Sequence, residues 1–167
     1  NVDLLTFSGH KLGALKGVGV LWKKKSIKLT PLIYGSQEQG LVGGTENLLG
    51  IASLGKALQN YEYASVTPQN REYVYGYLIS RIPHCYLVGP TKRRLPHNLY
   101  MCFQGVEGEA LALLLDLYGI QVSTGSIGMN KRDLHSCLRI TFSGKETKEE
   151  LDYLCHTLKQ CVSSLRA

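Results

Sequence analysis

The chain has 167 residues, a length that suits one domain or two small lobes. Its composition, 44% hydrophobic and 19% charged, is that of a soluble protein with a real core, and no uncharged apolar run approaches the ~18 residues that would cross a bilayer. Nineteen Lys and Arg against 13 Asp and Glu give a formal charge of +6; the runs Lys23–Lys25 with Lys28, and Lys92–Arg94, lack interleaved aromatics or a helix-turn-helix pattern, so they read as solvated loop charge and not as a nucleic-acid surface.

In chain order, residues 2–7 predict a strand, followed at once by Ser8-Gly9-His10-Lys11 with no leading turn or cap. So early a reactive-looking segment leads us to expect further sequence upstream. Residues 17–22 alternate small and apolar side chains and predict a second, buried strand. Residues 29–34 suggest a third short extended piece, and 35–44 a glycine- and glutamine-rich loop. Thr45-Glu46-Asn47 opens a helix carrying Leu48, Ile51, Leu54, Leu58 and Tyr61. Thr67-Pro68 predicts an N-cap and a proline in the first helical position, with Val74, Tyr77, Leu78 and Arg81 continuing at helical spacing.

Beyond that point strands are predicted at 85–88, 98–103, 120–123 and 138–142, with a helix over 107–118 closed by Gly119. The last helix begins with a capping box, Thr147 to Glu150. Leu151, Leu154, Cys155, Leu158, Cys161, Val162 and Leu165 form its apolar stripe, which places Cys155 and Cys161 in the core. A boundary near 62–67 divides a glycine-rich first lobe, 1–65, from an α+β second lobe, 66–167.

The five cysteines, at 85, 102, 137, 155 and 161, form no C-x-x-C pair and no zinc spacing. Their odd number and scatter predict reduced thiols. The opening residues have neither the basic nor the apolar part of a signal peptide. Together these features predict a cytoplasmic protein with no metal site.

Ser8, His10 and Lys11 put a hydroxyl, an imidazole and an amine on one turn. The first two suit a phosphate. The amine, when deprotonated, suits an aldehyde. From the residues alone, an exposed lysine beside a turn is the simpler reading.

The segment read with its neighbours says more. Ser8-Gly9-His10-Lys11-Leu12-Gly13 and Lys16-Gly17-Val18-Gly19-Val20-Leu21 are followed by the loop at 35–40 and Gly43-Gly44-Thr45-Glu46-Asn47. Then come Leu95-Pro96-His97-Asn98, Gly105-Val106-Glu107-Gly108-Glu109, Gly119-Ile120-x-Val122-Ser123-Thr124-Gly125-Ser126 and Leu138-Arg139-Ile140-Thr141-Phe142-Ser143. In this order they resemble the cysteine desulfurase branch of the class V aminotransferase-fold enzymes, over nearly the whole chain but only roughly the last two-fifths of a family member.

The resemblance implies an α/β fold: part of the large, cofactor-binding domain of the pyridoxal-phosphate-dependent aspartate-aminotransferase type, then a small α+β C-terminal domain. It implies Lys11 as the Schiff-base lysine, Ser8 and His10 at the cofactor phosphate, and Thr45 reaching the phosphate of a partner subunit's cofactor from a helix start. It implies Arg139 as the group that binds the substrate carboxylate, for which the guanidinium fork is well shaped. The family's context is iron–sulfur cluster assembly, with a dimer, a sulfur acceptor or a scaffold protein as partners.

Three departures qualify it. Where the family loop continues with alanine and the sulfur-accepting cysteine, this chain has Ile127 and Gly128. A helical stretch after that loop is mostly missing, since only residues 129–137 lie between Gly128 and Leu138. Val42 stands where an arginine is usual; Leu15 also replaces a proline. The family's ring-stacking imidazole, pyridine-pairing aspartate and phenolic-oxygen donor belong to earlier segments, and the aspartate maintains the electron sink. Cys137, two residues before Arg139 on a strand, is a candidate replacement thiol; a buried strand cysteine is the simpler reading.

The expectation is therefore a family fragment or truncated homologue that is inactive alone as a desulfurase and self-associates, or is complemented by an N-terminal half, with its first lobe less ordered than 68–167. A non-catalytic dimerisation or scaffold module is the alternative, as is another class V aminotransferase or lyase activity.

Overall fold

The computed structural model describes residues 2–61, 68–125 and 134–167. The chain is mixed α/β and falls into two compact units, Asn1–Glu62 and Tyr63–Ala167.

In the first unit β1 (Leu4–Ser8) pairs antiparallel with β2 (Gly19–Lys23), in a register that sets Ser8 opposite Gly19 and Leu4 opposite Lys23. A 3-10 turn, Gly9–Leu12, follows β1 directly. The expected third strand at 29–34 does not form. Pro31 has no N–H to give a ladder, and no strand of the described residues lies beside this segment. The loop after it closes on itself, because a Cβ on Gly35 would sit 2.3 Å from the Gly43 Cα, and one on Gly43 would sit 2.5 Å from the Tyr34 carbonyl oxygen. Only glycine permits that approach.

Helix α1 (Leu48–Gln59) is capped by Asn47, whose side chain accepts from the Gly50 N–H at 3.0 Å. The strand expected to be buried is not. Leu21 and Trp22 are each about half exposed, and along α1 only Gly50 and Leu54 are buried. A two-stranded sheet and one helix offer too few layers to cover these side chains.

The second unit carries nearly all of the core. Its sheet has the order β3–β4–β6–β5, all antiparallel, with β3 at Cys85–Leu87, β4 at Asn98–Phe103, β5 at Ser123–Thr124 and β6 at Cys137–Thr141. Leu99, Met101 and Phe103 of β4, with Leu138 and Ile140 of β6, point to one face. Three helices pack there: α2 (Gln69–Arg81), α3 (Gly108–Leu117) and α4 (Lys148–Arg166). The stripe on α4 is buried as predicted at Leu151, Cys155, Leu158, Cys161 and Val162; Leu154 is half-buried and Leu165, in the last turn, is exposed. Pro68 is the residue that caps α2, and Thr67 lies outside the described residues. The strand expected at 120–123 is reduced to β5. Residues 120–122 diverge from the end of β6, leaving a cleft of about 550 Å³ between Ile120–Val122 and Ile140–Phe142.

Two polar devices fasten α4. At its start the capping box is complete: Thr147 accepts from the Glu150 N–H at 3.2 Å, and Glu150 accepts from the Thr147 N–H at 2.8 Å. At its end Arg166 donates to the carbonyls of Gln104, Pro83 and His84. Just before the helix, the Glu146 carboxylate accepts from the Ser143 and Gly144 N–H groups, the Ser143 hydroxyl and the Asn70 amide. It thereby joins the turn to the first residues of α2.

Burial alone would raise the Glu146 carboxyl, but the Ser143 and Asn70 bonds outweigh it and hold the group below its ordinary 4.5. A carboxyl lowered in the folded state stabilises fully above the unfolded value, and that stability is lost as pH falls through the lowered one. We expect Glu146→Gln to cost on the order of 1–2 kcal/mol at pH 7 and to flatten the acid loss below pH 4.5. Urea unfolding between pH 7 and 3 checks this; parallel curves for both proteins would remove Glu146 from the account.

Candidate active site

The lysine turn is built on a close backbone contact. The Gly9 N–H donates to the Val18 carbonyl at 2.9 Å, and a Cβ on Gly9 would lie 2.8 Å from Val18 Cγ1. The turn ends at Gly13, whose φ of 93° is in the left-handed region. Gly9 is buried beneath it, Ser8 is half-buried, and His10 and Lys11 are exposed. Among the described residues no hydrogen bond or ion pair engages the Lys11 amine.

Helix α1 is tied to the connection that follows this turn. Asn47 Nδ2 donates to the Gly17 carbonyl at 3.2 Å, and the Leu15 N–H donates to Ser53 Oγ at 3.0 Å. Ser8, His10, Lys11 and Thr45 thus stand on one unit, linked through Asn47. Thr45 is exposed and lies two residues ahead of the cap, so the helix start is Asn47's position and not its own.

Arg139 stands on the second unit, exposed at the middle of β6. Its cross-strand neighbours are Tyr100 on β4 and Ser123 on β5, so the three make one row across the sheet, on the side away from the helices. Arg139 Nη2 donates to Ser123 Oγ at 3.2 Å, and the Tyr100 hydroxyl donates to the Gly125 carbonyl. Sequence reasoning missed Tyr100 and Ser123 as partners. The alternation along β4 and β5 carries the signal for them, but the register needed to use it is not local.

Cys137 shares the face of Arg139, as period-2 alternation requires, but it is 1% exposed and sits opposite Cys102, which is fully buried. The start of α3 lies against the Cys137 backbone: a Cβ on Gly108 would be 2.9 Å from the Cys137 carbonyl oxygen. Burial also pushes the Cys155 thiol up to about 12 and raises those of Cys85 and Cys161. Ile127, Gly128 and the shortened segment after them lie outside the described residues. Among the described residues no group of three His, Cys, Asp or Glu could hold a metal, and no helix is long and apolar enough to cross a membrane.

Residues 1–154 match the family model for aminotransferase class-V. The chain is 38% identical over 187 residues to the cysteine desulfurase IscS of Dictyoglomus turgidum, covering 99% of this chain and 47% of that protein. It is 37% identical over 190 residues to the cysteine desulfurase IscS of Clostridium botulinum, covering 99% of this chain and 48% of that one. Among solved structures, a NifS-like protein from Rickettsia africae superposes with a TM-score of 0.86 at 27% identity, covering 97% of this chain and 48% of that chain. The chain therefore spans about half the length of these relatives. The aligned length of 187 positions exceeds the chain's 167 residues by 20, so the Dictyoglomus protein carries at least that many residues inside the matched span with no counterpart here.

The burial of the thiols predicts their reactivity. Under native conditions a maleimide should label half-buried Cys85 first and leave Cys102, Cys137, Cys155 and Cys161 protected until denaturant is added. Peptide mass spectrometry reads the order, and early labelling of Cys137 would restore it as a candidate sulfur acceptor.

Proposed function

This chain belongs to the aminotransferase class-V family, and we propose that it is the C-terminal portion of a cysteine-desulfurase-type protein that retains the lysine turn for pyridoxal phosphate but does not desulfurate cysteine alone. One observation carries the reading: Lys11 is presented unengaged, beside Ser8 and His10, on a turn fixed by the Gly9–Val18 contact, within a chain matched to cysteine desulfurases along 99% of its length.

The residues fit part of the cofactor. Lys11 offers an amine to the aldehyde; Ser8 and His10 offer a hydroxyl and an imidazole to the phosphate, and Thr45 a hydroxyl to that of a partner subunit. When bound, pyridoxal phosphate supplies a ring that withdraws electrons from the substrate α-carbon. Lys11 Nζ is the atom that would hold the proton exchanged there. The guanidinium of Arg139, oriented by Ser123 Oγ, would take the substrate carboxylate. The one aspartate among the described residues of the first unit, Asp3, is ion-paired with Lys24 and so does not stand for the family's pyridine-pairing aspartate.

The desulfuration step needs a thiol to accept sulfur. Glycine at 128 has none, and Cys137, 1% exposed, does not replace it. We therefore assign activity to an assembly with the remainder of a family member, in the same polypeptide or in a partner, in the cytoplasm. The exposed apolar side chains of the first unit, Leu32 and Ile33 on the loop and Leu48 and Leu49 on α1, favour an interface there. They equally support the second reading, a dimerisation or scaffold module without catalysis.

Mixing the protein with a small excess of pyridoxal phosphate, reducing with borohydride and mapping the modified peptides separates the two. Dominant modification of Lys11, abolished in Lys11→Ala, with no alanine released from L-cysteine, is the expected outcome. Scattered modification of surface lysines would leave the module reading.

A further inference from the structure

The scattered cysteines predict reduced thiols with no framework, yet the fold brings two of them together. Cys102 of β4 and Cys137 of β6, 35 positions apart in sequence, stand directly opposite each other in the ladder. How close they come depends on the kind of pair they form, because opposed residues in an antiparallel ladder alternate between hydrogen-bonded and non-bonded pairs. The phase follows from bonds at the strand ends. The Phe142 N–H donates to the His97 carbonyl at 2.9 Å, one step beyond the Asn98–Thr141 pair. Positions 97 and 142 are thus a bonded pair, and counting inward makes 99–140 and 101–138 bonded and 98–141, 100–139 and 102–137 non-bonded. The other edge of β4 agrees. The Tyr100 carbonyl accepts from the Val88 N–H at 2.8 Å, and the Gln104 N–H donates to the His84 carbonyl at 3.0 Å. Cys102, in step with both, turns its backbone groups toward β3 and away from β6.

A non-bonded pair holds its Cα atoms about 4.5 Å apart, inside the range of about 4.4–6.8 Å that a disulfide spans. Both side chains leave the sheet on the face opposite the helices, at 0% and 1% exposure, and neither belongs to the apolar cluster that α4 shares with the sheet. A bond between them therefore disturbs no helix packing. Cys137 is the first residue of β6, after the 3-10 turn Leu134–Ser136, and Cys102 is the last but one of β4. The pair closes the end of the ladder, where local opening is easiest.

We propose that Cys102 and Cys137 are a redox site, at which hydrogen peroxide forms a cross-strand disulfide that clamps β4 to β6. One sulfur, as thiolate, attacks a peroxide oxygen; the O–O bond breaks, water leaves and a sulfenic acid remains. The second sulfur attacks the first, the S–S bond forms and the S–O bond breaks with loss of a second water. The two sulfurs together give up two electrons, and the peroxide takes them. Peroxide is close to water in size, so it passes openings that exclude a maleimide. In a reducing compartment the thiols are the resting form and the disulfide is a transient, sensing bond. Neither Lys11 nor the cofactor enters, so the site stands or falls apart from the proposed function.

The test exposes the whole chain to hydrogen peroxide under native conditions, alkylates the remaining thiols in denaturant and maps the unreduced peptides by mass. Cys85, half-buried and opposite Phe103, reports that peroxide has acted. We expect a peptide joining Cys102 to Cys137, released by dithiothreitol, with an unfolding midpoint about 5–15 °C above that of the reduced protein. Cys102→Ala and Cys137→Ala should each abolish both the link and the rise. Recovery of Cys102 and Cys137 as alkylated thiols at a peroxide dose that oxidises Cys85 would overturn the proposal. So would links joining either of them to Cys85, Cys155 or Cys161 in preference to each other. The wild-type map decides even if a variant folds poorly.

Discussion

The burial of the apolar face of α4 in a cluster shared with the sheet is the constraint on which the second unit depends. Leu151, Cys155, Leu158 and Val162 lie in one buried cluster with Leu99, Met101, Phe103, Leu138 and Ile140 of the sheet. Fully burying a leucine or valine stabilises by roughly 1.5–3 kcal/mol, whereas the Thr147 cap contributes about 1 kcal/mol. The apolar stripe therefore holds the helix, and the capping box and the Arg166 bonds decide where it begins and which carbonyls receive its last turn. The face left free of helices is what remains for Tyr100, Arg139 and Ser123.

The first unit has no comparable layer. Its one buried apolar side chain among the described residues is Leu54, and its order rests on backbone contacts: the Gly9–Val18 bond, the Gly35–Gly43 approach and the Asn47 cap. Such contacts fix a local shape without burying much area. They are enough to present Lys11 on a defined turn, yet leave side chains such as Leu48 and Leu49 in water.

Legibility from sequence followed the range of the interactions. Helix α4 was legible down to its capping box because periodicity and caps are local. Strand β4 was legible at both ends for the same reason, since alternation and flanking turns delimit it. The exposure of β2 is not legible because alternation shows which side chains share a face but not whether anything covers it. The segment 29–34 misled because apolar content alone does not supply a pairing partner. Lys11 and its neighbours are legible only as a motif, and the tie between Arg139 and Ser123 in the second unit needs a strand register set by residues far apart in sequence. Alternation puts Cys137 on the face of Arg139, but its burial opposite Cys102 is a tertiary fact.

The position of Arg139 has a consequence for folding. Side chains along β6 alternate strictly, so a slip of one residue against β4 would turn the guanidinium into the helix-packed core and carry Leu138 and Ile140 out to water. An unpaired charge in that core would be prohibitive. The residue suited to gripping a carboxylate thus also proofreads the strand pairing, and a neutral apolar replacement would relax the fidelity of the sheet even where it left the native fold reachable.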